Sequence, residues 1–452
     1  MENNGKIKVV DSPMGSGKTT ILIETVTNDY HIFGGMNKRF IILTPFVNEV
    51  TRITEKFRAN GVDVVQPVGV KTKEFIDLIN RGKNVVATHE VFRRVGVGVA
   101  SFIDKLPYTY DLFIDEEPPI LAGIFDNGVN EYEDISTKTC VDKYETILPT
   151  YSLADFQYSK DTLELFTVSD KNVIEWNETH KAKSHFEDLQ KFFVKNRVYK
   201  LDKQDNLCFI AFMQPHIWKQ FNSVTVLSYR VPYSYFAAYC QMFDIDIEYY
   251  HIEGNKFAKG YLQLYPRGLE RLCVSLSHLN KLEDIRMKRD NECSSSWYNR
   301  ELKKLRGGNA DNGIKTIYSY VCSCSRGMGG VSNNIWCTFK SAIDCIKNNN
   351  GCSAKNHLSC NIKGTNDYID TTNVVYTINR YLNPMVTGFF RKHNVTINEE
   401  EWALNELLQF IWRSNIRDVN STQKVTLYIA SNRMRRLLSE WLAQALRAEN
   451  VA

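Results

Sequence analysis

Ile7-Lys8-Val9-Val10-Asp11-Ser12-Pro13-Met14-Gly15-Ser16-Gly17-Lys18-Thr19-Thr20-Ile21-Leu22 is the stretch on which the fold turns. The apolar run Ile7 to Val10 predicts a buried strand. Ile21, Leu22 and Val26 give the segment from Lys18 to Thr27 the spacing of a helix with one apolar face. Between strand and helix, Gly15 and Gly17 let successive main-chain N–H groups converge on one point with no Cβ in the way. The helix N-terminus beyond them adds partial positive charge, so the loop is built to receive phosphate. The bland alternative is a Gly-rich turn with an incidental lysine, and the strand–loop–helix setting weighs against it.

A loop of this pattern implies ATP, cradled by Ser12, Met14, Gly15, Ser16, Gly17, Lys18, Thr19 and Thr20. Ser12 stands where the pattern usually has glycine. Lys18 is expected to reach the β- and γ-phosphates, and the Thr19 hydroxyl to hold Mg²⁺. A second motif, Tyr110-Asp-Leu-Phe-Ile-Asp115-Glu116-Glu117-Pro118, is an apolar strand that ends in carboxylates. Asp115 would share the Mg²⁺ with Thr19, and Glu116 would polarise an attacking water. Alone, such a motif reads equally well as a solvated acidic loop; beside a phosphate loop it points to ATP hydrolysis.

Further along, short apolar runs alternate with helical patterns, as in an α/β fold with parallel sheets. Phe40–Leu43, Val85–Ala87, Leu112–Ile114 and Val224–Leu227 are predicted strands, and Val47–Ala59 a helix stopped by Asn60-Gly61. From about 119 to 220 the alternation breaks, which suggests an insertion, with a hairpin over Val198–Met213 turning at Lys203–Asn206. Arg306–Gly313 is the clearest loop. A second α/β series follows: strands Thr316–Tyr320, Ile335–Phe339, Val374–Thr377 and Val425–Ile429, with helices Ser341–Lys347 and Glu400–Arg417. This divides the chain into a first domain (1–250), a connecting segment (251–313) and a second domain (314–452).

The order of these motifs resembles the superfamily-2 (DExD/H-box) helicases of bacteriophage and viral type, including viral replication-origin-binding helicases. The Asp-Glu-Glu-Pro box is of that kind. Leu43-Thr44-Pro45 and Ala87-Thr88-His89 look like the family's first nucleic-acid-contact motifs. Leu227-Ser228-Tyr229 stands where the family carries Ser/Thr-Ala-Thr, with only Ser228 matching. Trp336-Cys-Thr-Phe-Lys340 and Lys363-Gly364-Thr365-Asn366 resemble the fourth and fifth motifs.

Gln409-x-x-x-Arg413 resembles the sixth. In one continuous helix Gln409, Arg413 and Arg417 lie four apart, off the stripe of Leu404, Leu407, Leu408 and Ile411. An isolated helix with such a face would simply be solvated there. The resemblance implies instead that Arg413 and Arg417, with Gln409, close on the γ-phosphate, Arg417 as the finger. It also implies two RecA-like domains sandwiching ATP. A nucleic-acid strand would be held through its phosphates by Thr44, Pro45, Thr88, His89, Lys340, Gly364, Thr365 and Asn366. For each threonine taken singly, the bland reading is a helix cap or strand end. A DEAD-box RNA helicase is a poorer likeness, because the eleven residues before Ser12 leave little room for an upstream adenine-reading motif and the acidic box ends in Pro118, not Asp; DNA is the more expected polymer.

The totals fit this picture. The 452 residues are 43% apolar and 24% charged, with a net charge of +4, so nucleic acid would need a local basic groove. No run of apolar residues is long enough for a membrane span, and no secretory leader is evident. The expected setting is therefore the cytoplasm, that of the host if the protein is viral, with replication proteins as further partners. Eleven scattered cysteines read as reduced thiols. Cys345, Cys352, His357 and Cys360 form the tightest Cys/His group, but without a close Cys pair their default is four unconnected side chains. The alternatives to a motor are a viral DNA-packaging ATPase coupled to a nuclease and a non-motor ATP switch that binds a protein partner.

Overall fold

The computed structural model describes residues 6–33, 37–126, 166–169, 171–176, 195–203, 206–282, 291–309, 312–348, 350–360 and 367–449. It is an α/β protein with parallel sheets, in two compact units.

The first unit takes in Met1–Asp11, Lys18–Leu262 and Met385–Thr396. Its main sheet contains β1 (Ile7–Asp11), β2 (Lys38–Thr44), β3 (Val64–Val65), β4 (Asn84–Thr88) and β5 (Thr109–Asp115). An antiparallel sheet follows, from β6 (Leu121–Asp126), β7 (Phe166–Val168), β8 (Val173–Trp176), β9 (Asn196–Lys203) and β10 (Asn206–Met213). The chain then rejoins the main sheet through β11 (Ser223–Ser228), β12 (Ile247–Glu253) and β13 (Lys256–Lys259). The main order is β13-β12-β1-β11-β5-β2-β4-β3, parallel except for the β12–β13 pair.

Helices α1 (Lys18–Phe33), α2 (Val47–Ala59), α3 (Lys71–Asn80) and α4 (His89–Ala100) carry the crossovers. The apolar face of α2 (Val50, Ile53, Phe57) packs with Leu22, Val26, Val10 and Ile42 in one buried cluster. Burial of this kind contributes about 25 cal/mol per Å² of apolar surface. Among the described residues between β5 and β11, the strands thus pair antiparallel in a sheet of their own. On that sheet, Tyr199 and Phe212 pack against Phe389 at ring distances of 5.0 and 5.3 Å.

The second unit takes in Ser12–Gly17, Gln263–Pro384 and Ile397–Ala452. Its four strands, β14 (Leu272–Val274), β15 (Asn334–Cys337), β16 (Asn373–Tyr376) and β17 (Val425–Ile429), run parallel in the order β14-β17-β16-β15. After α5 (Tyr235–Met242) of the first unit, the helices are α6 (Ser295–Arg306), α7 (Gly313–Ser325), α8 (Ile343–Ile346), α9 (Pro384–Lys392), α10 (Glu399–Ile411) and α11 (Asn432–Glu449), of which α9 lies mostly in the first unit.

Two expectations are corrected. Thr316–Tyr320 lies inside helix α7 and is not a strand. Its run of Ile317, Tyr320, Val321 and Cys324 buries one helical stripe, and Asn312 caps the start by accepting from the Lys315 amide. A short apolar, β-branched run is ambiguous between strand and helix, and here the Asn cap decides. Second, the helix from Glu399 stops at Ile411 rather than reaching Arg417. The Ser414 hydroxyl takes the Ile411 carbonyl at 2.7 Å, and the chain re-forms as a single 3₁₀ turn over Asn415–Arg417.

Cys345, Cys352, His357 and Cys360 have separate surroundings. His357 packs edge-on against Trp336 and meets the Thr338 backbone, while Cys360 receives an Arg380 N–H at 3.3 Å. Among the described residues no three His, Cys, Asp or Glu side chains come together as metal ligands.

A Cβ added to Gly313 would overlap the buried indole of Trp297, whereas one added to Gly388 in α9 would meet nothing within 4 Å. Gly313→Ala should therefore cost about 1–3 kcal/mol of stability in denaturant titrations. Gly388→Ala should be neutral or stabilising by up to about 1 kcal/mol.

Candidate functional site

Three adjacent parallel strands build the site. Asp11 at the end of β1 lies opposite Ser228 at the end of β11, and Leu227 lies opposite Asp115 at the end of β5. The glycine loop, the turn after Ser228 and the acidic box therefore all leave the carboxyl edge of one sheet, where open α/β sheets bind ligands.

At that edge the Thr19 hydroxyl, in the first turn of α1, donates to Asp115 Oδ2 at 3.1 Å. Lys18 is close enough to stabilise the charges of both Asp11 and Asp115. Burial and the neighbouring Glu116 nevertheless push the Asp115 carboxyl up to about 6. Glu116 has left-handed backbone (φ 68°), held by its N–H donating to the Leu227 carbonyl at 2.8 Å. A non-glycine residue in that region is strained by about 1–3 kcal/mol, and such strain concentrates at functional positions.

The loop leaves open space beside Gly17 and a buried hydroxyl at Ser16. Gly15 and Gly17 have φ of 76° and 85°, and nothing lies within 4 Å of where a Gly17 Cβ would stand. The Ser16 hydroxyl is buried with no hydrogen-bond partner among the described residues. Ser12 and Met14 are buried beneath the loop, and Thr20 is exposed. A hydroxyl and a carboxylate side by side, both hard oxygen donors, are the set that suits Mg²⁺.

Sequence reasoning missed two residues here. Asp11 is buried and accepts from the Arg230 and Val231 amides at 2.8 and 3.1 Å. Desolvation raises its pKa, and these bonds and Lys18 oppose that rise. It ties the start of the glycine loop to the turn after β11, where Arg230 is left-handed (φ 58°) and sits over the Tyr233 ring. A carboxylate closing an apolar strand just before the loop was a readable signal; the backbone of Arg230 was not.

The remaining candidates are more scattered. Thr44 and Thr88 pair in register at the ends of β2 and β4. Thr44 is fully buried, its hydroxyl without a partner among the described residues, and Thr88 caps α4 through the Val91 amide. Pro45 and His89 beside them are half-buried. Lys340 is exposed at the end of the segment following β15. Gly364, Thr365 and Asn366 lie outside the described residues.

In the second unit Arg413 does meet Gln409, at 3.5 Å, but not on an exposed face: they are only 2% and 5% exposed. With the helix ended at Ile411, Arg417 belongs to the following 3₁₀ turn and is half-buried. Within this unit a Cβ on Gly15 would stand 3.8 Å from the Arg417 carbonyl oxygen.

Residues 271–442, which hold the four-stranded sheet, match the model of the YonV C-terminal Rossmann-like domain. Over 467 residues the chain is 26% identical to the SPbeta prophage-derived uncharacterized protein YonV of Bacillus subtilis (strain 168), covering 97% of this chain and 98% of that protein. The solved structure of S. tokodaii Xpd4 aligns with 97% of this chain and 94% of that one, at a TM-score of 0.45 and 13% identity. No helix among the described residues is long and apolar enough to cross a membrane.

The raised pKa of Asp115 yields a stability prediction. Its folded value of about 6 exceeds the unfolded value near 3.9, so the ionised form destabilises the fold. That penalty, on the order of 2 kcal/mol, is fully present above pH 6 and fades as pH falls towards 4. Asp115→Asn should raise the melting temperature of the ligand-free protein at pH 7.5, and the gain should vanish near pH 4.

Proposed function

We propose that this protein is an ATP-dependent nucleic-acid motor, a translocase or helicase acting on DNA in phage replication or recombination. The observation that carries the ATPase part is the Thr19–Asp115 hydrogen bond, which joins residues 96 apart in sequence beside a glycine loop with room for phosphate. Similarity to a prophage-derived protein supports the phage setting.

In this reading the amides of residues 15–19 and the Lys18 ammonium bind and orient the β- and γ-phosphates. Thr19 and Asp115 hold Mg²⁺, which when bound neutralises phosphate charge. Glu116, its backbone held by Leu227, orients the attacking water and accepts its proton. Arg417 meets the γ-phosphate, and the buried Gln409–Arg413 pair supports the segment leading to it.

The nucleic-acid part rests on the edge at Thr44 and Thr88. There α2 begins at Val47 behind Phe46, which makes no side-chain cap; the Glu49 amide bonds to the Asn48 side chain, and the amides of Val47 and Asn48 would suit a phosphate. Such contacts hold a strand without reading its sequence. For the packaging-nuclease alternative the described residues offer no clustered carboxylates.

ATPase activity measured with and without single-stranded DNA, duplex DNA and RNA tests the proposal. Stimulation by one polymer, lost in Lys18→Ala and reduced by ~10³ in Arg417→Ala, is expected. Activity indifferent to every polymer would leave the non-motor switch. Binding through about five phosphates should weaken with salt at a log–log slope of roughly −3 to −5.

A further inference from the structure

Arg271 lies at the end of a 3₁₀ turn leading into β14, and is only 7% exposed. Its guanidinium reaches the turn that carries Arg417, which leads into the neighbouring strand β17. One terminal nitrogen donates to the Asn415 main-chain oxygen (3.3 Å), its side-chain oxygen (3.2 Å) and the Gln423 carbonyl (3.4 Å). The other donates to the carbonyls of Ile416 (2.8 Å) and Asp418 (2.9 Å). The residues immediately before and after Arg417 are thus held by the same nitrogen.

All five acceptors are carbonyl oxygens. The buried charge is solvated by carbonyl dipoles at these contacts, with no carboxylate among the five acceptors. Asn415 adds the opposing grip: its amide donates to the Thr371 carbonyl, its side chain to Ile369 O at 3.0 Å, and the Ser421 hydroxyl donates to its oxygen at 2.6 Å. Burying a full charge to fasten an ordinary surface turn is an expensive solution, since neutral side chains cap turns as well. A turn that must hold one residue at fixed position while an anion comes and goes has a use for it.

We propose that Arg271 is a positioning residue for Arg417: it fixes the 415–418 backbone so that the Arg417 guanidinium is preorganised for the triphosphate. This rests on the proposed role of Arg417. Lysine cannot replace the fork, because three donors on one atom do not reach all five oxygens that the two guanidinium nitrogens hold, at Asn415 and Gln423 as well as at Ile416 and Asp418.

The test uses the full chain with Arg271→Lys, Arg417→Ala and the double variant. Hydrogen exchange read on peptides spanning 412–424 should quicken at least several-fold in Arg271→Lys, with peptides from α11 unchanged. Binding of a fluorescent ATP analogue should stay within about two-fold of wild type, while kcat falls about 10- to 100-fold with little change in KM. In the Arg417→Ala background the same change should cost less than about two-fold, because the residue it positions is gone.

If the two substitutions multiply, if exchange at 412–424 is unaltered, or if kcat is unaltered, the proposal is overturned. Should Arg271→Lys fail to fold, Ser421→Ala keeps the Arg271 charge but loosens two of its acceptors, Asn415 and Gln423, and should show the same pattern at about three-fold. A wild-type protein no more active than Lys18→Ala would refute the ATPase reading itself, and the exchange result would still decide whether Arg271 holds the turn.

Discussion

The parallel pairing of β11 between β1 and β5 is the constraint on which the site depends. Because Asp11 registers with Ser228, and Leu227 with Asp115, the ends of β1 and β5 are set two strands apart and within one residue of the same level. That spacing lets Thr19 reach Asp115. A slip of one residue in either pairing would move each side chain to the opposite face of the sheet and separate them. The Glu116–Leu227 and Asp11–Arg230 hydrogen bonds extend the lock past the last ladder residues, into the segments that hold the candidate site.

The electrostatics of this edge hold carboxylate charge at a cost in the ligand-free state. Asp11 and Asp115 both resist ionisation through burial, Glu116 adds to the effect at Asp115, and Lys18 is the cation that offsets both. The strained backbone of Glu116 is of the same kind: local free energy kept high where the rest of the sheet is well packed. Removing the Asp115 charge should therefore relieve the fold and impair the proposed activity together, the usual opposition of stability and function at a preorganised site.

How much of this was legible follows from the range of the interactions. β1, the glycine loop, α2, the β9–β10 hairpin and the strand before Asp115 are specified by local period and turn chemistry, and the sequence shows them with near-correct bounds. The α7 segment misled because Thr316–Tyr320 is β-branched and aromatic, while its cap, Asn312, lies outside that window. Helix α10 misled for the converse reason. No Gly or Pro stands between Ile411 and Arg417, and what stops the helix is a Ser414 hydroxyl and bonds from Asn415 to residues some 45 positions earlier. Arg271 was invisible for the same cause: its partners lie about 145 residues away, and nothing in its own neighbourhood marks it.

The early end of α10 changes what the arginines can do. In an unbroken helix Gln409, Arg413 and Arg417 would share one face and move as a rigid unit. In the structure Arg413 is buried against Gln409 as part of the interior, and Arg417 is handed to a turn whose geometry is set from outside by Arg271 and Thr371. A residue on a helix inherits its precision from the helix. A residue on a turn needs tethers on both flanks to be held as closely, and Arg417 has them: Ile416 on one side and Asp418 on the other, both bound to a single guanidinium group.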